Sequence, residues 1–181
     1  MKFMLSNVEL LLIKFVKTKP SYAYEIERMI EDREIRVWVK IGGTTVYQVL
    51  DRLCNKGLLE FKIEKEGNMP QRKRYYVTEN GNNAFDNATV KMLRNSEHYY
   101  FDLTIGLACR HFMEAEMFKQ TIQERLIKLN DFVDHFNEKF EKVKELYPKK
   151  RLLVREYLLS HYQLEQTFLE RILREADENE E

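Results

Sequence analysis

The stretch IGGTTVYQVLDRLCNKGLL, residues 41–59, decides how the chain is read. Val46, Val49, Leu50 and Leu53 recur at helical spacing, which predicts a helix over residues 44–56 with one apolar face. Gly57 closes it, since glycine takes the left-handed conformation that ends a helix at no steric cost. The other face presents Thr44, Thr45, Tyr47, Gln48, Asp51 and Arg52. Many surface helices are polar on one side, but hydroxyls, an amide and charges near an N-terminal end also suit phosphates and base edges in a major groove.

Working outward, Leu5, Val8, Leu11, Leu12, Phe15 and Val16 form a stripe that predicts a first helix over residues 5–17. Pro20 breaks it, and a second helix is expected over residues 21–33 with Tyr24, Ile26, Met29 and Ile30 facing inward. Residues 35–39 alternate enough to predict a short strand. After Gly57 the period becomes two at Leu59, Phe61 and Ile63, a turn follows over residues 66–71, and RKRYYVT, residues 72–78, reads as a second strand. This hairpin carries Lys62, Lys65, Arg72, Lys73 and Arg74. Lysines on a strand edge also discourage aggregation, whereas three consecutive cations beside Tyr75 and Tyr76 favour phosphate contact. Three helices and then a basic hairpin is the order of a winged helix-turn-helix, whose third helix enters the major groove.

Thr78 is placed to cap a fourth helix running toward residue 95, although NGNNAFDN, residues 80–87, forms helix poorly. Residues 96–112 are too apolar all round for a surface helix and require a cover. Ile122, Leu126, Leu129, Val133, Phe136, Phe140, Val143 and Tyr147 are spaced alternately four and three apart, a heptad seam in a helix expected over residues 114–146. Pro148 ends it, and a last helix over residues 150–175 carries Leu152, Leu158, Tyr162 and Leu169 among its apolar positions. Part of this surface can close within the chain as an antiparallel helical hairpin, and the remainder is open to a second subunit. The expected dimerisation residues are Ile122, Leu126, Leu129, Val133, Phe136, Phe140, Leu158, Tyr162 and Leu169. The fold class is therefore mainly α with a small β-hairpin: a winged helix-turn-helix DNA-binding domain over residues 1–95 and a helical, coiled-coil dimerisation domain over residues 96–181.

Composition bounds the function. The 181 residues are 44% hydrophobic and 33% charged, with three prolines and six glycines, which leaves little room for a long disordered linker. The apolar opening is interrupted by Glu9, no run approaches the roughly 20 residues of a membrane span, and a cytoplasmic protein is expected. Charge sums to zero but is divided: residues 1–95 hold 17 Lys and Arg against 12 Asp and Glu, and the rest hold 13 against 18. The basic half is the one expected to meet a polyanion. Cys54 and Cys109 lack metal-ligand spacing, and neither a phosphate-cradling glycine loop nor a nucleophile with its base is evident. No metal, cofactor or enzymatic activity is expected.

Taken in order, these residues resemble the PadR family of bacterial transcriptional regulators, in its longer form with a helical C-terminal domain. In PSYAYEI, Tyr24, Glu25 and Ile26 match the family's first motif, while Tyr22 stands where the family has histidine and Ala23 where it has glycine. In the stretch quoted first, Thr45, Val46, Tyr47, Leu50, Leu53, Gly57 and Leu58 match, with Gly43 and Thr44 in place of Pro-Gly. Arg72, Lys73, Tyr75, Thr78 and Gly81 complete the motif at the wing exit. The motifs lie in the first 81 residues; the second half matches in length and helical pattern only. The resemblance implies a homodimer that binds double-stranded DNA at a palindromic operator, commonly as a repressor released by a small molecule. Its DNA contacts would be Tyr22, Thr44, Thr45, Tyr47, Gln48, Arg52, Arg72, Lys73 and Arg74. Trp38, His98, Tyr99, Tyr100 and Phe101 are candidates for a small aromatic effector, or else they pack the domain junction or dimer core. The alternative function is a winged-helix module that binds protein rather than DNA.

Overall fold

The computed structural model describes residues 4–42, 45–65, 70–98, 100–143 and 152–178, and the chain divides into two compact units, Met1–Glu97 and His98–Glu181. Gly43, Thr44, Tyr99, Tyr147 and Pro148 lie outside the described residues, as do the side chains of Val143 and Leu152.

In the first unit the order is α1 (Asn7–Thr18), β1 (Ser21–Tyr22), α2 (Ala23–Asp32), a 3-10 turn (Ile35–Val37), α3 (Thr45–Asn55), β2 (Leu59–Glu64), β3 (Arg72–Val77) and α4 (Glu79–Arg94). A capping box starts α1: the Ser6 hydroxyl accepts from the Glu9 N–H at 3.3 Å, and the Glu9 carboxylate accepts from the Ser6 N–H at 3.0 Å. Leu11, Leu12, Ile13, Phe15 and Val16 are all buried, so α1 is central, in contact with α2, α3, α4 and β3. The core continues through Ile26, Ile30, Ile35, Val46, Val49, Leu50, Leu53, Leu58, Leu59 and Tyr75. At the end of α3, Gly57 has φ 67° and the Leu58 N–H donates to the Leu53 carbonyl at 3.0 Å, which turns the chain directly into β2.

Three points depart from the sequence expectation. Residues 35–39 make no strand: Trp38 and Val39 both donate to the Ile35 carbonyl, and Arg36 pairs with Glu27 and Glu31, so local contacts curl the segment against α2. Ser21 and Tyr22 are a strand instead of helix, and the hairpin becomes a three-stranded antiparallel sheet of order β1-β3-β2. β3 pairs with β2 at Leu59↔Val77, Phe61↔Tyr75 and Ile63↔Lys73, and with β1 at Ser21↔Tyr75 and Tyr22↔Arg74. Finally, α4 is well formed from its first residue, because the Thr78 hydroxyl accepts from the Gly81 N–H at 3.0 Å and itself bonds back to the Leu58 carbonyl at 3.1 Å.

The second unit comprises α5 (Asp102–Ala108), a 3-10 turn (Arg110–Phe112), α6 (Ala115–Val143) and α7 (Leu152–Glu178). Helices α6 and α7 pack antiparallel: Phe118 and Ile122 cluster with Leu169, Arg125 pairs with Glu165, Phe136 meets Tyr162, and Asn137 accepts from Arg155. The heptad seam therefore has its partner inside the chain. Ile122, Val133, Phe136 and Leu169 are buried there, while Leu126, Leu129, Phe140, Leu158 and Tyr162 are partly covered. Leu103 and Leu107 of α5 pack on the same cluster, but Phe101, Ile105 and Phe112 stay exposed in the single chain. Among the described residues, no helix is long and apolar enough to cross a membrane.

Candidate nucleic-acid interface

Helix α3 shows the division that its sequence predicts. Val46, Val49, Leu50 and Leu53 are buried, and Tyr47, Gln48, Asp51 and Arg52 are exposed. Thr45 is half-buried, with its N–H donating to the Gly42 carbonyl at 3.1 Å. Arg52 projects from the same helix and its Nε lies 3.2 Å from Glu9 Oε1. Lys56 donates to that oxygen at 2.7 Å, so one buried carboxylate ties the C-terminal end of the polar helix to α1. Burial opposes ionisation of Glu9, but the Lys56 hydrogen bond, the Ser6 N–H and the charges of Lys56 and Arg52 outweigh it and hold its carboxyl below the usual range.

The wing reaches this helix through Lys73, whose Nζ lies 3.0 Å from Asp51 Oδ1 and 4.6 Å from the centre of the Phe61 ring. Beside it, α3 and the sheet enclose a groove of about 550 Å³ lined by Tyr22, Tyr24, Tyr47, Asp51, Arg72, Lys73 and Tyr75. The hydroxyl of Tyr75 is pushed up to about 12, by burial first and then by the charge of Asp51, so it stays a neutral hydroxyl at the groove wall. Burial, followed by Asp51, likewise raises the Cys54 thiol.

On the strands, cations and rings interleave. The Arg72 guanidinium lies 4.9 Å from the Tyr24 ring centre, Arg74 lies 4.5 Å from that of Tyr22, and the two tyrosine rings stack at 5.6 Å. Glu64 gathers this side of the sheet: it accepts from the Tyr22 hydroxyl at 2.9 Å and the Tyr76 hydroxyl at 3.0 Å, and pairs with Arg74 at 3.2 Å. The Tyr22 hydrogen bond, then that of Tyr76 and the charge of Arg74, keep its carboxyl below the ordinary value.

These contacts sort the sequence candidates. Tyr47, Gln48, Arg52 and Lys73 are exposed on α3 or β3, and Arg72 is half-buried beside Tyr24. Tyr22 differs from these: it is 4% exposed and its hydroxyl donates to Glu64, while its ring borders the groove. The neighbouring Tyr24, expected inside, is exposed over Arg72. The helix expected from residue 21 begins at Ala23, because Ser21 and Tyr22 pair with Tyr75 and Arg74 of β3. Arg74 is partly covered by Tyr22 and Glu64. Sequence reasoning missed Glu64, although the register that sets Lys62 and Glu64 opposite Arg74 and Arg72 follows from the hairpin once its turn is known. It also missed that Phe61 and Ile63, on the strand's expected inner face, are exposed beyond the reach of the core.

Of the effector candidates, Trp38 belongs to the first unit and His98, Tyr100 and Phe101 to the second, where the His98 and Tyr100 rings lie 5.1 Å apart. Among the described residues there is no group of His, Cys, Asp and Glu that could hold a metal ion.

Comparison with known proteins gives the geometry its context. No curated protein matches the chain. Bacillus subtilis PadR in complex with operator DNA is similar in structure at 14% identity and TM-score 0.77, over 94% of this chain and 99% of that one. The same protein with p-coumaric acid matches at 15% identity and TM-score 0.73, over 96% and 99% of the two chains. The Vibrio cholerae virulence activator AphA matches at 16% identity and TM-score 0.61, over 95% of each chain. At such identities the likeness is one of fold. Residues 12–87, however, match the transcriptional regulator PadR-like family directly, and they span α2, the polar helix, the wing and the cap of α4. Over residues 12–87, therefore, the chain carries the match to the transcriptional regulator PadR-like family.

Proposed function

We propose that the chain is a cytoplasmic, homodimeric repressor that binds a palindromic operator through α3 and the wing. The observation that supports this reading is the groove on which Tyr47 of α3 and Arg72 and Lys73 of β3 converge, joined through the Asp51 to Lys73 pair, with Gln48 exposed beside Tyr47 on the same helix. Tyr47, Gln48 and Thr45 supply groups for base edges and phosphates, and Arg72 and Lys73 supply charge for the backbone. Thr44 belongs to the same proposal from sequence alone. Arg52, held by Glu9, contacts backbone at the far end of the helix, and Arg74 acts by stiffening the strand that carries Arg72.

The dimer is supported by apolar side chains left exposed on the helical unit, among them Ile105, Phe112, Ile127, Leu153 and Leu164. The heptad residues Ile122, Leu126, Leu129, Val133, Phe136, Phe140, Leu158, Tyr162 and Leu169 set the shape of that unit from within, and the partner copy meets its outer side. Release by a small aromatic effector is supported by the exposed rings of Tyr100 and Phe101 and by the p-coumaric acid bound to Bacillus subtilis PadR. Titrating Trp38 fluorescence with hydroxycinnamates tests that part, with quenching or a spectral shift expected.

The operator reading is tested by fluorescence anisotropy with duplexes from upstream of the chain's own coding sequence, alongside sedimentation of the free protein. Expected are a dimer at micromolar concentration and binding that weakens steeply with salt. A second reading, docking on another protein through exposed Phe61 and Ile63 of the wing, requires binding without that salt dependence.

A further inference from the structure

Among the described residues Asp51 is the one anion in the lining of the groove between α3 and the wing, which it shares with the two cations that the proposed function assigns to DNA phosphate. A phosphodiester entering there meets Arg72 and Lys73 but also a carboxylate of its own sign. Lys73 is already engaged with that carboxylate at 3.0 Å, and its ammonium is held over the Phe61 ring at 4.6 Å. Both partners are partly solvated, at 45% exposure for the lysine side chain and 57% for the aspartate, so the pair is weak and opens readily. Opening it has two consequences. Lys73 is freed for phosphate, and Asp51 is left as an unpaired acceptor on the exposed face of the polar helix.

We propose that Asp51 is a specificity-determining residue that works by partner exchange. On the correct sequence Lys73 passes from Asp51 to a phosphate, and Asp51 passes to a base that offers an exocyclic amino group. Cytosine N4 and adenine N6 are the major-groove donors, and cytosine is the base that acidic side chains accept from. Opposite guanine or thymine, whose edges present acceptors at that depth, the freed carboxylate finds no donor and repels the base edge. Arbitrary duplex therefore gains Lys73 only at the cost of an unpaired carboxylate, which lowers its affinity more than that of the operator. This inference rests on the reading of α3 and the wing as the DNA-binding surface.

The test uses the full chain, a random-sequence 30-base-pair duplex library, and the site that the wild-type protein enriches from it. Asp51→Asn and Asp51→Ala are compared with wild type, with circular dichroism and thermal midpoints checking that these exposed changes leave the fold intact. The unselected library should bind both variants about two- to fivefold more tightly per protomer at low salt, the range expected for releasing one exposed ion pair. Its salt slope should steepen by about 0.9 per protomer as Lys73 becomes a free phosphate contact. The enriched site should gain less or lose affinity, and a fresh selection with Asp51→Ala should relax a cytosine or adenine preference at one position of each half-site. Adding Lys73→Ala to Asp51→Ala should cancel the gain on the library. Unchanged library binding, or an equal factor on library and enriched site, would overturn the exchange while leaving the regulator reading intact. If the wild-type chain enriches no sequence and its library binding ignores salt, the regulator reading itself falls, and the exchange with it.

Discussion

Lys56 donates a hydrogen bond to Glu9 at 2.7 Å, and through it α1 holds the C-terminal end of α3 in place. The Glu9 carboxyl is depressed below its ordinary value of 4.5, so its contribution to stability is complete above that value and is lost as pH falls through the lower folded value. Thermal midpoints should therefore be insensitive to pH near neutrality and fall on acidification below the ordinary carboxylate range. Glu9→Gln should cost about 1–3 kcal/mol at pH 7, since it removes a charged, largely buried acceptor, and should flatten the acid limb. Urea unfolding at pH 7 and pH 4 checks both, and an acid limb identical in the two proteins would mean that other carboxylates set it.

Gly81 lies in the first turn of α4 against the strand exit. A Cβ there would come 2.0 Å from the Leu58 carbonyl oxygen and 2.9 Å from Val77 Cγ1, and the first of these is backbone that cannot step aside. Gly81→Ala should destabilise by about 2–4 kcal/mol through displacement of the helix from the wing, read as a lower urea midpoint. A change within about 0.5 kcal/mol would show that α4 can shift at little cost.

The cations of the wing should separate by role. Arg72→Ala should lower the magnitude of the salt slope by about 0.9 per protomer and weaken all duplex sequences alike. Arg74→Ala, whose guanidinium is tied to Glu64 and stacked on Tyr22, should instead lower the thermal midpoint, with a smaller change in salt slope. Salt titrations followed by anisotropy distinguish the two, and equal slopes would make Arg74 a phosphate contact in its own right.

Gln48 is exposed on α3 between Tyr47 and the Asp51 turn, and its amide can pair bidentately with adenine. Gln48→Ala should cost about 1–3 kcal/mol on the preferred site and relax preference at a single position, measured by competition with singly substituted duplexes. Uniform weakening across all of them would assign it to backbone contact.

How far the sequence carried the reading follows the range of the interactions. The apolar period of α3, its Gly57 stop and the Thr78 cap are local, and each lies where residue spacing places it. Ser21 and Tyr22 escaped the reading because a two-residue strand exists only by pairing with residues some fifty positions away. The segment 35–39 has the alternation of a strand but pairs with no strand among the described residues, and Arg36 bound to Glu27 draws it into a turn instead. Phe61 and Ile63 alternate correctly, yet the wing outruns the core that would have buried them. The heptad of α6 was visible as a period, whereas its partner, α7 of the same chain, was one of two choices the spacing allowed. Asp51 and Lys73 are 22 residues apart, and nothing short of the hairpin register brings them together.

Hydroxyl-radical footprinting of the full chain on DNA upstream of its own coding sequence bears most directly on the DNA-binding surface. Expected are two protected patches whose centres lie about 34 Å apart, one turn of duplex, as two copies of α3 would impose. With about 6 to 10 phosphate contacts, affinity should drop by about three to five decades between 50 and 200 mM salt, and the patches should fade with it. A uniform cleavage ladder at low salt and saturating protein, with Tyr47→Ala and Arg72→Ala behaving as wild type, would contradict it.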